Sequence, residues 1–174
     1  MKINIFLVIR RHFDSFKEHD SDKYIKLDLI VFFGVPLLMA IIAAKFGFTF
    51  STNAVGSLLN VGALLSGLLL NLLVLVYSLK EKTPKVNVEV DGWKELQLKH
   101  RVVNEVYFNV AFSTLTAFAM LILTVVHSCG ADFVEMANYL QMLDSVIIFL
   151  GINLIFTFLM IIKRISLLFC AEGD

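Results

Sequence analysis

Long stretches without any charged residue constrain this chain more than any other feature. The segments 106–131 and 145–162 contain no Asp, Glu, Lys or Arg, and Lys45 is the only charged residue between positions 29 and 79. An uncharged apolar run of about 18 residues is enough to indicate a membrane helix. The composition agrees, because 58% of the residues are hydrophobic and 17% are charged, whereas soluble domains have roughly 45–50% and about 25%. The sequence therefore predicts an all-α integral membrane protein.

Four of the apolar runs are long enough to be transmembrane helices. We place these spans at 27–46, 55–79, 106–127 and 145–162. The spans form two transmembrane hairpins, 27–79 and 106–162, and the other segments are a cytoplasmic amphipathic segment 1–26, a cytoplasmic loop and stalk 80–105 and a cytoplasmic tail 163–174. The connection between the first two spans is short and aromatic, so these two helices are expected to be antiparallel.

The basic residues predict the orientation of the spans. Of the 15 lysines and arginines, all except Lys45 precede the first span, lie between the second and third, or follow the fourth. Basic residues close to span ends stay on the cytoplasmic side, so we expect both termini and the middle loop in the cytoplasm. Acidic residues nearly balance the basic ones on that side, which argues against direct nucleic-acid binding, because such binding needs many phosphate contacts. Cys129 and Cys170 then lie on opposite faces and cannot form a disulfide with each other.

Residues 2–19 have the pattern of an amphipathic helix, since their phenylalanine and isoleucine side chains recur at helical spacing. Two alternatives remain open for this helix. Either it lies along the inner leaflet with its phenylalanines in lipid, or it packs against the cytoplasmic ends of the other helices. Membrane lipid is a predicted partner in either case.

The middle loop is the largest soluble segment and the predicted docking site for a cytosolic protein. Its valines alternate with polar residues over 86–90, which indicates a short strand, and a helix is predicted to begin at Trp93 and to continue through the third span to His127. At about 1.5 Å per residue this helix would be roughly 50 Å long and would project below the hydrocarbon. The predicted docking residues are Val86, Val88, Val90, Trp93, Lys94, Lys99 and Arg101.

Gly34 and Pro36 in the first span predict a bend, because proline removes one backbone hydrogen bond from a helix. Membrane helices tolerate this loss when a neighbouring helix supplies a compensating bond.

Small and polar residues follow helical spacing in three of the four spans. Small residues let helix backbones approach in a membrane, and amide side chains bond across the gap. The predicted helix-packing and oligomer residues are Gly56, Asn60, Ala63, Gly67 and Asn71 in the second span, Asn109 and Ser113 in the third, and Asn153 and Thr157 in the fourth. Three uses are open: packing within one four-helix bundle, self-association of copies, or a water-lined pore. A pore is the least favoured, since no span has an ionisable residue at its centre.

The sequence contains no arrangement of residues that indicates catalysis, a cofactor or a metal ion. The four histidines, His12, His19, His100 and His127, are scattered, and no metal-ligand spacing, glycine-rich phosphate loop or nucleophile–base pattern is present. We therefore expect a protein that is not an enzyme.

Four spans, short outer connections, the inner segment "VNVEVDGWKELQLKHR" and the lack of catalytic residues resemble the small membrane subunit of bacterial anti-phage defence systems, such as the membrane component of the Kiwa system. This resemblance implies a homo-oligomeric sensor in the bacterial inner membrane that is coupled to a cytosolic effector, with the inner segment as the docking element. Two alternatives are a pore-forming or membrane-depolarising effector and an accessory subunit of a membrane transport complex.

Overall fold

The computed structural model of the chain describes residues 5–14, 30–82, 93–130 and 137–170, and every regular element within these ranges is helical. The elements are α1 (Ile5–Asp14), a π-helical segment (Ile30–Gly34) that continues into α2 (Val35–Lys45), α3 (Thr52–Lys82), α4 (Trp93–Gly130) and α5 (Ala137–Cys170). The all-helical prediction is confirmed for these ranges. The strand predicted at 86–90 lies outside the described residues.

Three of the helices are long and apolar enough to cross a membrane. Their candidate spans are Thr52–Lys82 in α3, Lys99–Gly130 in α4 and Asn138–Ser166 in α5, and they contain the second, third and fourth predicted spans. The apolar helix Ile30–Lys45 is shorter and matches the described part of the first predicted span. The structure therefore shows three membrane-length helices, and the fourth span stays a prediction.

Helix α4 is the central element of the bundle. It contacts α1, α3 and α5, whereas α2 packs against α5. Two apolar clusters fill the contacts between the three long helices. One consists of Val76, Val102, Val106, Val110 and Ile161, and the other of Leu69, Ala117 and Leu154. Apolar side chains inside such a bundle gain packing contacts, which together with interhelical hydrogen bonds hold membrane helices together.

The helical extension of the third predicted span is also present. Helix α4 has 38 residues and runs without a break from Trp93 to Gly130. A helix of this length spans about 57 Å, whereas the hydrocarbon core of a bilayer is about 30 Å thick. Part of α4 must therefore project out of the hydrocarbon.

Near Pro36, where a bend is predicted, the structure has a π-helical turn and a compensating bond from another helix. Proline has no N–H to offer to the carbonyl group of Phe32, four residues earlier, and its ring crowds that carbonyl. The backbone widens into a π-helix over Ile30–Gly34, and Asn153 of α5 donates a hydrogen bond from Nδ2 to the Phe32 oxygen at 3.4 Å. The neighbour required by the sequence argument is thus Asn153.

Candidate functional site: the exposed face of α3 and the docked helix α1

Helix α3 packs against α4 through one of its two small-residue faces. Gly62, Ser66, Leu69 and Val76 on this face are buried. The Ser66 hydroxyl donates to the Gly62 carbonyl at 2.8 Å, so its polar group is satisfied within its own helix. A Cβ atom placed on Gly62 would lie 3.8 Å from the Cβ of Leu121 in α4. A methyl group at Gly62 would thus be in ordinary van der Waals contact with α4.

The other small-residue face of α3 is exposed along its length. It consists of Gly56, Asn60, Ala63, Gly67 and Asn71, which we call the amide stripe. A Cβ atom placed on Gly56 or Gly67 would meet nothing within 4 Å. Among the residues that the structure describes, no side chain or backbone group bonds the amides of Asn60 and Asn71. The stripe predicted from the sequence is thus exposed, and its amides have no bonding partner among the described residues.

The residues beside the amide stripe are apolar and exposed, as expected for a helix surface in lipid. Leu64, Leu68 and Leu75 each expose more than half of their surface. Hydrocarbon cannot form hydrogen bonds with an amide, so a polar side chain on such a surface costs free energy unless protein covers it. The amides of the stripe would therefore be more stable if a second protein surface covered them.

In contrast to the exposed amide stripe, the polar residues predicted on α4 and α5 lie inside the bundle. Asn109, Ser113, Asn153 and Thr157 are all buried. Asn109 bonds His12, Asn153 bonds the Phe32 carbonyl, and the Thr157 hydroxyl donates to the Asn153 carbonyl at 2.9 Å. Three of these side chains thus bond within the chain, whereas the Ser113 hydroxyl is buried without a hydrogen-bond partner among the described residues. The amide stripe is the exposed part of the predicted set.

Helix α1 packs against the bundle through a histidine that sequence analysis did not single out. His12 is fully buried, its ring stacks on Phe112 of α4 with centroids 3.9 Å apart, and its Nδ1 lies 2.8 Å from Oδ1 of Asn109. His12 shares a helical face with Ile5 and Ile9, at spacings of four and three, and this periodicity was the available signal.

Burial sets the protonation state of His12. The loss of hydration lowers the pKa of the imidazole to about 4; the hydrogen bond with Asn109 opposes this shift, and the positive charge of Arg164 adds to it. At neutral pH the docked His12 is therefore an uncharged ring, which suits its position against Phe112.

The opposite face of α1 is exposed and combines apolar with basic side chains. Phe6 exposes 83% of its surface, and Leu7 is exposed beside it. Arg10 and Arg11 are exposed as well. Apolar residues next to arginines are typical of a helix at the surface of an anionic membrane. Of the two alternatives for this helix, packing on the bundle is present, and the exposed face leaves contact with lipid open.

Polar and charged residues link the three long helices at the end where α4 begins. Glu105 of α4 forms ion pairs with Arg164 of α5 and, at 3.2 Å, with Arg101 of its own helix. Lys80 of α3 donates to Oδ1 of Asn104 at 2.8 Å and lies 5.0 Å from the centroid of the Tyr107 ring. This network fixes the direction in which α4 leaves the bundle.

The predicted docking residues lie beside this network or outside the described part of the chain. Lys99 and Arg101 are exposed on α4. Trp93 and Lys94 belong to the first turn of α4, but their side chains are not described. Val86, Val88 and Val90 lie outside the described residues.

At the other end of the bundle, the structure pairs a residue at the end of the third predicted span with one just before the fourth. Nε2 of His127 in α4 lies 2.9 Å from Oδ1 of Asp144 in α5, and both side chains are buried. Asp144 Oδ2 also accepts a hydrogen bond from the backbone N–H of Phe50 at 3.1 Å. The available signal was the antiparallel arrangement of the third and fourth spans, which brings the end of one helix to the start of the next.

Within the described ranges, no three His, Cys, Asp or Glu residues are grouped so that they could hold a metal ion. Comparison of the chain with protein-family models, with curated proteins and with solved structures finds no match. The resemblance to a Kiwa membrane component is therefore still a prediction. Three features of the molecule are candidates for a functional role: the amide stripe, the docked helix α1 and the start of α4.

Proposed function

We propose that this protein is a homo-oligomeric scaffold and sensor of the inner membrane, which recruits or regulates a cytosolic effector. The observation that carries the proposal is the amide stripe, because Asn60 and Asn71 are exposed on a helix of membrane length. The buried amides Asn109 and Asn153 form bonds within the chain, so the exposed pair is available for bonds between chains.

A second copy of the same chain suits the amide stripe. Copies inserted in the same orientation place Asn60 beside Asn60 and Asn71 beside Asn71 at equal depth. An amide side chain has both donors and acceptors, so identical amides can bond each other. The two asparagines are 11 residues apart, which is about 16 Å along the helix, and Gly67 lies between them with open space around it. Two bonds at this separation fix the register of two helices.

The sensor role is supported by the two faces of α1. Its buried face reaches the core of the bundle through His12, and its exposed face carries Phe6 and Leu7 next to Arg10 and Arg11. A helix that contacts both lipid and the central helix can transmit a change in the membrane to α4. The start of α4, together with the loop before it, then presents that change to a cytosolic partner.

Cysteine cross-linking tests the proposed contact between copies. In a background with Cys129→Ser and Cys170→Ser, Gly67→Cys is expected to form disulfide-linked dimers in the membrane under mild oxidation. Leu68→Cys is the matched control, because it is the next residue and points about 100° away on an equally exposed surface. Equal cross-linking at the two positions, or none at Gly67→Cys, would contradict the proposed interface.

The partner role has its own test. Charge reversal at Lys94 and Lys99 combined with Trp93→Ala should abolish capture of a cytosolic protein from the native host while leaving membrane insertion unchanged. Charge reversal at Lys82, at the exposed end of α3, is the control and should leave capture intact. Unchanged capture by the triple variant would remove the docking element from the proposal.

A further inference from the structure

Three elements of the bundle meet at one buried carboxylate, at the end opposite the Glu105 ion pairs. Asp144 of α5 is fully buried, contacts His127 of α4 at 2.9 Å and accepts the Phe50 N–H at 3.1 Å. Phe50 belongs to the turn 46–51, which joins α2 to α3. One helical turn before Asp144, Gln141 donates to the Ala44 carbonyl at the end of α2, at 2.6 Å. We call Asp144, His127 and Phe50 the carboxylate clamp.

The strength of the carboxylate clamp depends on the negative charge of Asp144. Hydrogen bonds to an ionised carboxylate are roughly twice as strong as those between neutral groups. A proton on Asp144 removes the charge that attracts the His127 ring and weakens the acceptor for the Phe50 N–H. The two contacts therefore loosen together when the carboxylate is neutralised.

We propose that the carboxylate clamp is a proton-binding site, and that protonation of Asp144 releases the turn 46–51 from α5. This inference rests on the proposed sensor role and orientation, and it names protons on the outer side as the stimulus. Helix α3 follows the turn directly, and at the start of that helix the Ser51 hydroxyl accepts the Ala54 N–H at 3.3 Å. Release of the turn thus loosens the first turn of the helix that carries the amide stripe.

Within the described residues, His127 is the titratable group in contact with Asp144. The other titratable groups at this end, among the residues that the structure describes, are Lys45 on α2, Cys129 on α4 and Tyr139 on α5. All three are exposed, and none is within ion-pair distance of Asp144. Tyr139 precedes Asp144 by five residues, about 7.5 Å along α5.

Hydrogen–deuterium exchange at the Phe50 amide measures the clamp directly, since this N–H is one of its bonds. The full chain is reconstituted in nanodiscs, and protection is expressed relative to an unstructured peptide at each pH, which removes the pH dependence of chemical exchange. As the pH falls from about 7.5 to about 3, across the ordinary range of carboxyl groups, Phe50 protection is expected to fall about tenfold. Asp144→Asn, which is permanently neutral, is expected to show the low protection at every pH.

Ser145→Ala is the matched control, because this neighbouring buried hydroxyl donates only to the Gln141 carbonyl of its own helix, and it should retain the pH response. Constant Phe50 protection in the unmodified chain, or full protection in Asp144→Asn, would overturn the clamp. Native mass spectrometry on the same samples reports assembly. A lost pH response with intact oligomers rejects the clamp alone, whereas single chains with an intact response reject the proposed assembly alone.

Discussion

Two pairs of asparagines in this chain have opposite environments. Asn109 and Asn153 are buried and bond groups that lie 97 and 121 residues away in the sequence. Asn60 and Asn71 are exposed on α3, and the exposed residues beside them are apolar. The comparison teaches that the same side chain stabilises the fold when it bonds within the chain, and is available to another molecule when it does not, as we propose for Asn60 and Asn71. Substitutions in the buried pair should therefore change stability, and substitutions in the exposed pair should change assembly.

The largest expected effect concerns the partner of Asn109. The pKa of His12 is about 4 in the docked helix and 6.5 in water, so the undocked helix binds more protons between these values. The docking of α1 is therefore fully stable above about pH 6.5 and loses stability as the pH falls towards 4. The loss amounts to about 3 kcal/mol. Hydrogen–deuterium exchange over α1, measured across this range, reports the undocking.

His12→Gln is the control for this titration, because glutamine can bond Asn109 but does not titrate. Exchange over α1 in this variant should be nearly independent of pH. A native α1 that stays protected below pH 4, or a glutamine variant with the same pH profile, would contradict the role assigned to His12.

A somewhat smaller effect is expected at the other buried amide. Asn153→Leu removes the donor to the Phe32 carbonyl and should lower the stability of the bundle by about 1–3 kcal/mol. Pro36→Ala restores a backbone N–H four residues after Phe32, so Asn153→Leu should cost less in that background. Unfolding of the four proteins in detergent gives the coupling free energy. Strictly additive losses would show that Asn153 does not compensate for the proline.

Thr157→Val is the matched control for the same measurement. Its hydroxyl is buried one turn further along α5 and donates to a carbonyl of its own helix. This substitution removes no bond between helices, and its cost should be well below that of Asn153→Leu.

The smallest effects are expected at two glycines on opposite faces of α3. A methyl group on Gly62 would meet Leu121 at ordinary contact distance, and one on Gly67 would meet nothing within the chain. Both alanine variants should therefore fold with nearly unchanged stability. Only Gly67→Ala should weaken assembly, because the methyl group separates the backbones of neighbouring copies. Energy transfer between labelled copies in liposomes measures the difference, and equal assembly of the two variants would place the interface elsewhere.

The sequence predicted the helices better than it predicted their contacts. The start of α4 at Trp93 follows from local signals, since a strand pattern ends at Asp91-Gly92 and helical spacing begins after it. The prediction that a neighbouring helix compensates for Pro36 also follows from a local signal, the proline itself. The identity of that neighbour does not, because Asn153 is distant in sequence and local periodicity holds no information on which helices meet.

Helix α3 is a second case in which the sequence predicts the helix but not its contacts. It carries two small-residue faces, one around Gly62 and Ser66 and one around Asn60 and Gly67, and both satisfy the pattern for close packing. The sequence could not tell which face packs against α4 and which face stays exposed. The contacts of His12 and Asp144 could not be predicted from the sequence either, because their partners Asn109 and Phe50 are 97 and 94 residues away.

Native mass spectrometry of the protein released from membranes tests the central claim most directly, since it counts the copies in each particle. The unmodified chain is expected to appear as an oligomer. The Asn60→Leu/Asn71→Leu double variant should lose about 0.6–2 kcal/mol per amide bond, and it should appear mainly as single chains with unchanged helix content. Single chains from the unmodified protein, or oligomers that persist in the double variant, would contradict the account.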